Sequence, residues 1–212
     1  MEAWPLFGLE LRCRGAVLRP VREADLPHLA ATVPDDHEHN PRAERFGWQS
    51  EREHHERVLV YQQYWRTMGT WSPSSWDLAF AVQHDGELVG VQSLEAEHFP
   101  DLRTVDSGSW LVPEVRGRGI GVAMRTAVLG LAFDRLGAVA AISSARTDNP
   151  ASLGVSRRIG YRPNGVSLTN TPTGVAELTH LRLTAEQWRE SGLGGEVTVH
   201  GWDGCAPWFG AA

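Results

Sequence analysis

The stretch VRGRGIGVAMR spans residues 115–125 and places three glycines and two arginines within six positions, immediately before an apolar run. A helix start presents unpaired N–H groups and about half a positive charge, and glycine lets the backbone approach a ligand closely. The stretch therefore predicts a binding site for a phosphate or another anion. Apolar residues then recur with the spacing of one helix face, at Ile120, Ala123, Met124, Ala127, Val128, Leu131 and Ala132.

Two common phosphate-binding motifs do not fit this stretch. A P-loop ends in Gly-Lys-Ser or Gly-Lys-Thr, which is absent here. A dinucleotide-binding turn reads G-x-G-x-x-G and opens the first βαβ unit, whereas Gly117 to Gly121 read G-x-G-x-G and follow an antiparallel meander. A merely flexible turn would leave the arginines and the helix unexplained. What fits is Arg-x-x-Gly-x-Gly, formed by Arg116, Gly119 and Gly121.

Length, charge and composition exclude several classes of function. The 212 residues suffice for one domain over 1–212 with a full core, and a net charge of -6 argues against general binding to nucleic acid. No run reaches the roughly 18 apolar residues that span a bilayer, so we expect no membrane segment. The start of the chain lacks a basic, apolar leader, and Cys13 and Cys205 lack metal or redox spacing. These features favour a cytoplasmic protein.

The order of predicted elements favours a mixed α/β fold whose strands are mostly antiparallel. Residues 9–21 and 77–96 predict hairpins, the second with its turn at Asp85-Gly86. The apolar tail 185–212 is expected to pack on the domain or on a second subunit. Helices are predicted over 51–68, over 120–132 and from Pro150 to Gly160, the last capped by Asn149. Strands are predicted over 104–112, with Gly108 marking a bulge, over 138–143, buried on both faces, and over 161–168 and 174–183. Residues 34–49 and 69–76 are predicted to be loops.

The motif Arg-x-x-Gly-x-Gly resembles the pyrophosphate loop of the GCN5-related N-acetyltransferase (GNAT) superfamily, which binds the diphosphate of coenzyme A through backbone N–H groups. GSWLVPEVRGRGIG, from Gly108 to Gly121, and DNPASLGVSRRIGYR, from Asp148 to Arg162, are similar to signatures of its RimJ/RimL-like branch. The phrases WPLF, VDSGSWL and NPAS look most like an actinobacterial subgroup, some of whose members bind succinyl-CoA. The resemblance covers about residues 15–184.

This resemblance implies a GNAT fold, a twisted, mostly antiparallel sheet of about seven strands flanked by helices. Strands 104–112 and 138–144 would form its splayed parallel pair. The gap between the two separating strands is called the seam here. Acetyl-CoA or another acyl-CoA would lie along the seam as co-substrate, and an amine would attack the thioester directly. The N–H of Leu111 or Val112 would stabilise the oxyanion. The residues that would bind the cofactor are Leu111, Val112, Arg116, Gly117, Arg118, Gly119, Ile120, Gly121, Asn149 and Ser152.

Two proton transfers define the candidate catalytic residues. The attacking amine must lose a proton, and the resemblance points to Asp106 as the general base, with Glu95 and Glu97 as alternatives. Each of these carboxylates also fits an ordinary polar residue of a strand surface. The leaving thiolate needs a proton or a hydrogen bond. Many family members use a tyrosine on the following helix, whereas here Tyr161 lies beyond that helix and Ser152 occupies the matching region.

The acceptor amine is left open, because a protein N-terminus, a lysine, a polyamine and an antibiotic amine all fit. The loops 34–49 and 69–76 lie where this family binds its acceptor, and Asp35, Asp36 and Glu38 would suit a cationic amine. A succinyl or longer donor is an alternative, which a cationic side chain facing the acyl end would favour. A non-catalytic acyl-CoA-binding module is a further alternative.

The sequence also bears on phosphate contacts outside the glycine turn, on metal binding and on oligomeric state. Arg157 and Arg158 would either reach the 3′-phosphate of coenzyme A or form a solvated helix face. The histidines show no H-E-x-x-H spacing, so we expect no metal site. The apolar tail and edge strands favour a homodimer.

Overall fold

Two β-sheets form the scaffold of the computed structural model, which describes residues 4–37, 43–171 and 174–211. The larger sheet has the strand order β10-β1-β2-β3-β4-β6, and the smaller has the order β5-β7-β9-β8. The strands are β1 (Glu10–Cys13), β2 (Ala16–Pro20), β3 (Trp76–His84), β4 (Glu87–Ala96), β5 (Thr104–Val105), β6 (Ser109–Leu111), β7 (Ala140–Arg146), β8 (Arg162–Thr171), β9 (Gly174–Thr184) and β10 (Thr198–His200).

Seven α-helices accompany the sheets, and two of them continue into π-helical segments. The helices are α1 (Leu26–Thr32), α2 (Glu51–Glu56), α3 (Gln63–Gly69), α4 (Phe99–Leu102), α5 (Ile120–Gly130), α6 (Pro150–Ile159) and α7 (Ala185–Ser191) within the described ranges. The π-helical segments are Arg57–Gln62, which joins α2 to α3, and Leu131–Arg135, which follows α5. Short 3-10 turns lie at Pro5–Gly8, Glu23–Asp25, Pro113–Val115, Leu193–Glu196 and Ala206–Phe209.

The local sequence signals predicted most of these elements. The hairpin β3–β4 turns at Asp85 and Gly86, whose φ angles of 51° and 83° are those of a type I′ turn. The helical stretch over 51–68 and the late strands are confirmed, with ends shifted by a few residues. The mixed, mostly antiparallel sheet architecture is confirmed as well. The expected strand number of about seven is too low, because the tail adds β10 and strand 104–112 is divided between the two sheets.

The divided strand creates the central feature of the fold. Its first part pairs in parallel with β7, through Thr104 opposite Ala140 and Val105 opposite Ala141. Its second part, β6, pairs with β4 and with no other strand of the described residues. The two strands therefore begin side by side and then separate, as expected for the splayed pair.

Gly108 does not mark a bulge, so that prediction is wrong. Asp106 lies opposite Glu95 and Leu111 lies opposite Gly90, so the register against β4 is constant along this stretch. The carbonyl oxygen of Gly108 accepts a hydrogen bond from the N–H of Ser93 at 2.7 Å and a second one from the buried side-chain amide of Gln92 at 2.9 Å. The pairing with β4 therefore continues through Gly108.

Helix α5 and strand β7 are buried differently from the prediction. Helix α5 was expected to bury one face, but all its residues except Gly121 are buried. The C-terminal tail covers the face of α5 that was expected to be exposed, since a Cβ on Gly130 would lie 2.7 Å from Val197. Strand β7 was expected to be buried on both faces, but Ile142 and Ser144 are exposed. The strand is therefore covered on one face only.

The C-terminal tail packs on the rest of the chain through an aromatic cluster. Strand β10 extends the larger sheet beside β1. Phe209 is fully buried, and its carbonyl oxygen accepts a hydrogen bond from the indole N–H of Trp76 at 3.2 Å. The β8–β9 hairpin, by contrast, exposes Val166 and Leu168. The expected homodimer stays a prediction.

Replacing Phe209 tests how much the tail contributes to stability. We expect Phe209→Ala to lower the free energy of unfolding by about 3–5 kcal/mol, because it empties a fully buried aromatic site. Trp48→Ala is the control, since Trp48 is 78% exposed and its loss should change stability by less than about 1 kcal/mol. Equal effects of the two substitutions in urea titrations would contradict this account of the tail.

Candidate functional site

The glycine-rich turn presents a row of free backbone donors. Gly117 and Gly119 have φ angles of 77° and 88°, which glycine adopts without strain. Among the described residues, the N–H groups from Gly117 to Gly121 donate to no acceptor, and they lie directly before and within the first turn of α5. A Cβ on Gly117 or Gly119 would meet nothing within 4 Å, so the space in front of the turn is open. The turn therefore has the free donors and the open space that the predicted anion site requires, and the site itself stays a prediction.

Arg116 lies at this turn, but its guanidinium is already bound by the protein. It donates to both carboxylate oxygens of Asp36, at 2.6 and 2.9 Å, and to the carbonyl oxygen of Leu111 at 2.9 Å. The Arg116 hydrogen bonds lower the pKa of Asp36 below its ordinary value. Arg116 thus fixes the turn against residues 34–37 rather than offering an unpaired cation. Asp36 is likewise not free for an amine, and Glu38 lies outside the described residues.

Two other arginines extend the cradle. A cavity of about 390 Å³ opens beside the turn, and within the described residues Arg118 and Arg158 make no ion pair there. Arg14, also at the cavity, is paired with Glu196. Arg157 is not part of this lining. The lining residues are Arg14, His84, Arg118, Gly119, Ile120, Val122, Arg158 and Leu193.

The two candidate oxyanion donors, the N–H groups of Leu111 and Val112, point to opposite edges of β6. The N–H of Val112 donates to the carbonyl oxygen of Val89 at 2.9 Å, so it is bound within the larger sheet and the prediction for it is wrong. Alternate N–H groups of a strand point to opposite edges. The N–H of Leu111 therefore points away from β4, toward the seam, and Leu111 remains the candidate.

Helix α6 borders the same seam. Asn149 caps it, as predicted, because the Asn149 side-chain oxygen accepts a hydrogen bond from the N–H of Ser152 at 3.0 Å. A Cβ on Gly121 would lie 3.2 Å from Val155, so this glycine allows α5 to approach α6 closely. The Asn149 side-chain amide nitrogen and the half-buried Ser152 hydroxyl remain for the predicted contacts with a ligand.

Three carboxylates form a row across the sheet on the side of the seam that faces α3. Asp77 on β3 lies directly opposite Glu95 on β4, and Glu95 lies directly opposite Asp106. Directly opposite residues share one face of a sheet. Asp77 accepts a hydrogen bond at 2.9 Å from the side chain of Gln63, so α3 lies against this row. No local pattern distinguishes Asp77 in the sequence, because only strand register places it opposite Glu95.

Burial and mutual repulsion alter the acidity of this row. Burial raises the pKa of Asp77 to about 6. Burial, followed by the charges of Asp77 and Asp106, raises the pKa of Glu95 to about 7. Glu95 nevertheless remains exposed to solvent, so its carboxylate is accessible to a substrate. A solvent-accessible carboxylate with a pKa near neutrality is suited to general base catalysis.

Asp106, the expected base, is placed differently. Its carboxylate accepts a hydrogen bond at 2.6 Å from the N–H of Ser107, the next residue. Burial raises its pKa, and the Ser107 hydrogen bond opposes that rise. Asp106 therefore differs from Glu95 in two respects, since it is half-buried rather than exposed and its carboxylate already accepts a backbone hydrogen bond.

A buried arginine, Arg125, contacts both strands that border the seam, and no sequence pattern predicted a role for it. Arg125 on α5 is only 4% exposed. Its guanidinium donates to the hydroxyl groups of Ser156 at 2.9 Å, Ser143 at 3.4 Å and Ser109 at 3.5 Å. A cation inside an apolar helix gives no distinctive local pattern, which is why only the structure reveals it.

Metal-binding clusters and membrane-spanning helices were looked for among the described residues. No group of three or more His, Cys, Asp or Glu residues is placed to hold a metal ion there. Of the helices in those ranges, none has the length and apolar character needed to cross a bilayer.

Comparison with known proteins identifies relatives of this fold. The family model for an acetyltransferase (GNAT) domain matches residues 16–162. The chain is similar to Mycobacterium smegmatis RimJ in complex with CoA-disulfide, with 19% identity over 91% of this chain and 97% of that chain and a TM-score of 0.66. It is also similar to a Vibrio cholerae and hSSAT chimera of spermidine N-acetyltransferase SpeG, with 14% identity over 82% and 98% and a TM-score of 0.62. A Bacillus anthracis GNAT-family acetyltransferase matches at 16% identity over 84% and 99%, with a TM-score of 0.64.

The raised pKa of Glu95 predicts a pH-dependent effect on stability. An acid whose pKa rises on folding, here from 4.5 to about 7, lowers the stability of the folded state as pH rises through that interval. We expect Glu95→Gln to raise the free energy of unfolding by about 1 kcal/mol at pH 8, a value that allows for solvent screening, and to change it little at pH 4. Urea titrations at both pH values measure the effect. An equal change at pH 4 and pH 8 would contradict the assignment.

Proposed function

Because the chain belongs to the GNAT family of acetyltransferases, we propose that it transfers an acyl group from an acyl-coenzyme A to a primary amine. The observation that carries the proposal is the row of free N–H groups from Gly117 to Gly121 at the start of α5. Such a row fits the diphosphate of coenzyme A, because several converging N–H groups and a helix N-terminus attract an anion without needing a base or a metal.

Binding of the diphosphate at these N–H groups, called the anchor below, sets where the other parts of the acyl-CoA would lie. The nucleotide end would lie beside the cavity that holds Arg118 and Arg158, whose unpaired guanidinium groups attract phosphate. The pantetheine arm would run along the seam, where the side chains of Asn149 and Ser152 offer polar contacts. The thioester oxygen would then meet the N–H of Leu111, which stabilises the negative charge that develops there.

The amine would approach from the side of the carboxylate row. Glu95 accepts a proton from the ammonium form of the amine, and the neutral nitrogen attacks the thioester carbon and forms the new C–N bond. The tetrahedral intermediate releases the second nitrogen proton to solvent and collapses, the C–S bond breaks, and its electron pair leaves on the sulfur of coenzyme A. A base with a pKa of about 7 is matched to this proton transfer at neutral pH.

The finer identity of the substrates is part of the same proposal. We place the chain in the RimJ/RimL-like branch, on the Asn149 and Ser152 pair and on the loop signature. The donor is acetyl-CoA, with succinyl-CoA as the alternative that competition between acyl-CoAs decides. The acceptor is a cationic amine, because Asp77, Glu95 and Asp106 line its side of the seam and attract positive charge. The neighbouring SpeG is a spermidine N-acetyltransferase, which is consistent with an acceptor of this class.

The binding of coenzyme A tests the anchor. We expect isothermal titration to give a Kd of about micromolar for coenzyme A, and Gly119→Val to weaken it at least about tenfold, because the side chain would block approach to the free N–H groups. Gly165→Val is the matched control. Gly165 also has a positive φ, of 115°, and open space around its Cβ position, but it lies in the β8–β9 hairpin.

The control variant should therefore share the backbone strain and keep its affinity. Equal losses of affinity in the two variants would remove the support for the anchor. Failure of the unaltered protein to bind any acyl-CoA would overturn the proposed function, and binding without turnover across a broad amine panel would identify a non-catalytic module instead.

The pH dependence of kcat/KM tests the base. We expect the unaltered enzyme to lose activity as pH falls below about 7, because Glu95 becomes protonated, and Glu95→Gln to abolish that limb while leaving coenzyme A affinity intact. Asp106→Asn is the comparison, and its profile should keep a limb near neutrality. If Asp106→Asn removes the limb and Glu95→Gln does not, the roles of the two carboxylates are reversed.

A further inference from the structure

Arg125 is a buried cation that interacts with the charge of the Asp106 carboxylate but forms no ion pair with it. It is 4% exposed, and within the described residues no Asp or Glu oxygen lies at ion-pair distance from it. A guanidinium carries five N–H donors. Its partners are three serine hydroxyl groups, and its Nε has no hydrogen-bond partner. Burial lowers the pKa of Arg125, as expected for a charge removed from water.

This arrangement is unfavourable for stability. An apolar side chain of similar volume at a buried ionic position usually leaves a protein equally or more stable. Residues all around α5 are apolar and buried, including Met124 and Leu129, so an aliphatic residue would suit position 125. A buried polar group that remains partly unsatisfied calls for a functional explanation.

The positions of the three hydroxyl groups indicate what the charge serves. Ser109 lies on β6 and Ser143 lies on β7, so the guanidinium bridges the two strands that separate. Ser156 lies on α6, four residues beyond Ser152 and hence on the same helix face. The N–H of Leu111 is the oxyanion candidate, and because Leu111 is two residues from Ser109, the N–H groups of both residues point to the seam edge of β6. The positive charge thus lies at the reacting end of the seam.

We propose that Arg125 stabilises the thiolate of coenzyme A that leaves when the acyl group is transferred. The inference rests on the proposed function. Breaking the C–S bond places an electron pair and a negative charge on sulfur. A cation already fixed beside the seam lowers the free energy of that charge without reorganisation during the reaction. Arg125 acts through its field and through the Ser109 hydroxyl group, so it is a positioning residue rather than a catalytic residue.

The other ionisable groups around the seam do not replace it. Tyr161, after α6, is buried, and burial raises its pKa far above the ordinary value, so it is a poor proton donor. The Asp106 carboxylate opposes a thiolate, and the imidazole of His180 on β9 shares a hydrogen bond with Ser167. Arg125 is therefore the fixed positive charge among the described groups at this end of the seam.

The ionisation of bound coenzyme A tests this role directly and needs no knowledge of the acceptor. Thiolate absorbance near 235 nm is followed through a pH titration of the stoichiometric complex, with the desulfo-coenzyme A complex as a blank for Cys13 and Cys205. We expect the pKa of the bound thiol to lie about one to two units below that of free coenzyme A measured in parallel. Arg125→Met should return it to within about half a unit of the free value, and Arg125→Lys should keep part of the shift.

The outcomes separate this inference from the proposed function. Arg125→Met should fold and should have an equal or higher Tm, since it removes a buried charge. If it does not fold, Arg125→Lys gives the answer through a smaller shift. If coenzyme A binds but its thiol pKa is not lowered, or is lowered equally in Arg125→Met, the role of Arg125 is overturned while the proposed function stands. If the unaltered protein does not bind coenzyme A, both fail.

Discussion

The separation of two strands that begin as neighbours is the constraint on which the site depends. Paired strands satisfy one another's backbone groups, and separation leaves those groups without partners. Strand β7 pairs with β5 at its start, while the one partner of β6 in the described part of the chain is β4. The seam between β6 and β7 therefore offers backbone donors and acceptors to a ligand. Gln92 and Arg125 lie where the strands part, and both are buried polar side chains bonded to groups of this region.

Charge is distributed unequally on the two sides of this seam. Free N–H groups at the start of α5, together with Arg118 and Arg158, make one side attractive to phosphate. On the other side, Asp77 and Glu95 hold carboxylates at raised pKa values. Under the proposed function, an anionic donor and a cationic acceptor would therefore approach from opposite sides and meet in the seam. The low local dielectric that raises these pKa values also strengthens the electrostatic contacts that a bound substrate would make.

Local signals predicted the glycine turn, the start of α5 and the cap of α6, whereas features made by long-range pairing could not be predicted. A glycine turn before an apolar helix, and Asn149 before Pro150, are readable because the residues that cooperate are adjacent in sequence. Glu95 gains its character from Asp77 and Asp106, which are brought opposite it only by strand register. Arg116 pairs with Asp36, 80 positions away, so no local pattern distinguishes it from an arginine that contacts phosphate. The exclusion of Val112 likewise required knowing which edge of β6 faces β4.

The most direct test of the account follows the backbone amides of the turn while coenzyme A is added. In ¹H–¹⁵N correlation spectra, the N–H signals from Gly117 to Gly121 should move together with saturation, because free donors that gain a phosphate acceptor change their environment most. The amide of Val112, already bonded to Val89, should move less. If coenzyme A saturates the protein while the signals from Gly117 to Gly121 stay in place, the anion does not bind at the start of α5 and the account is contradicted.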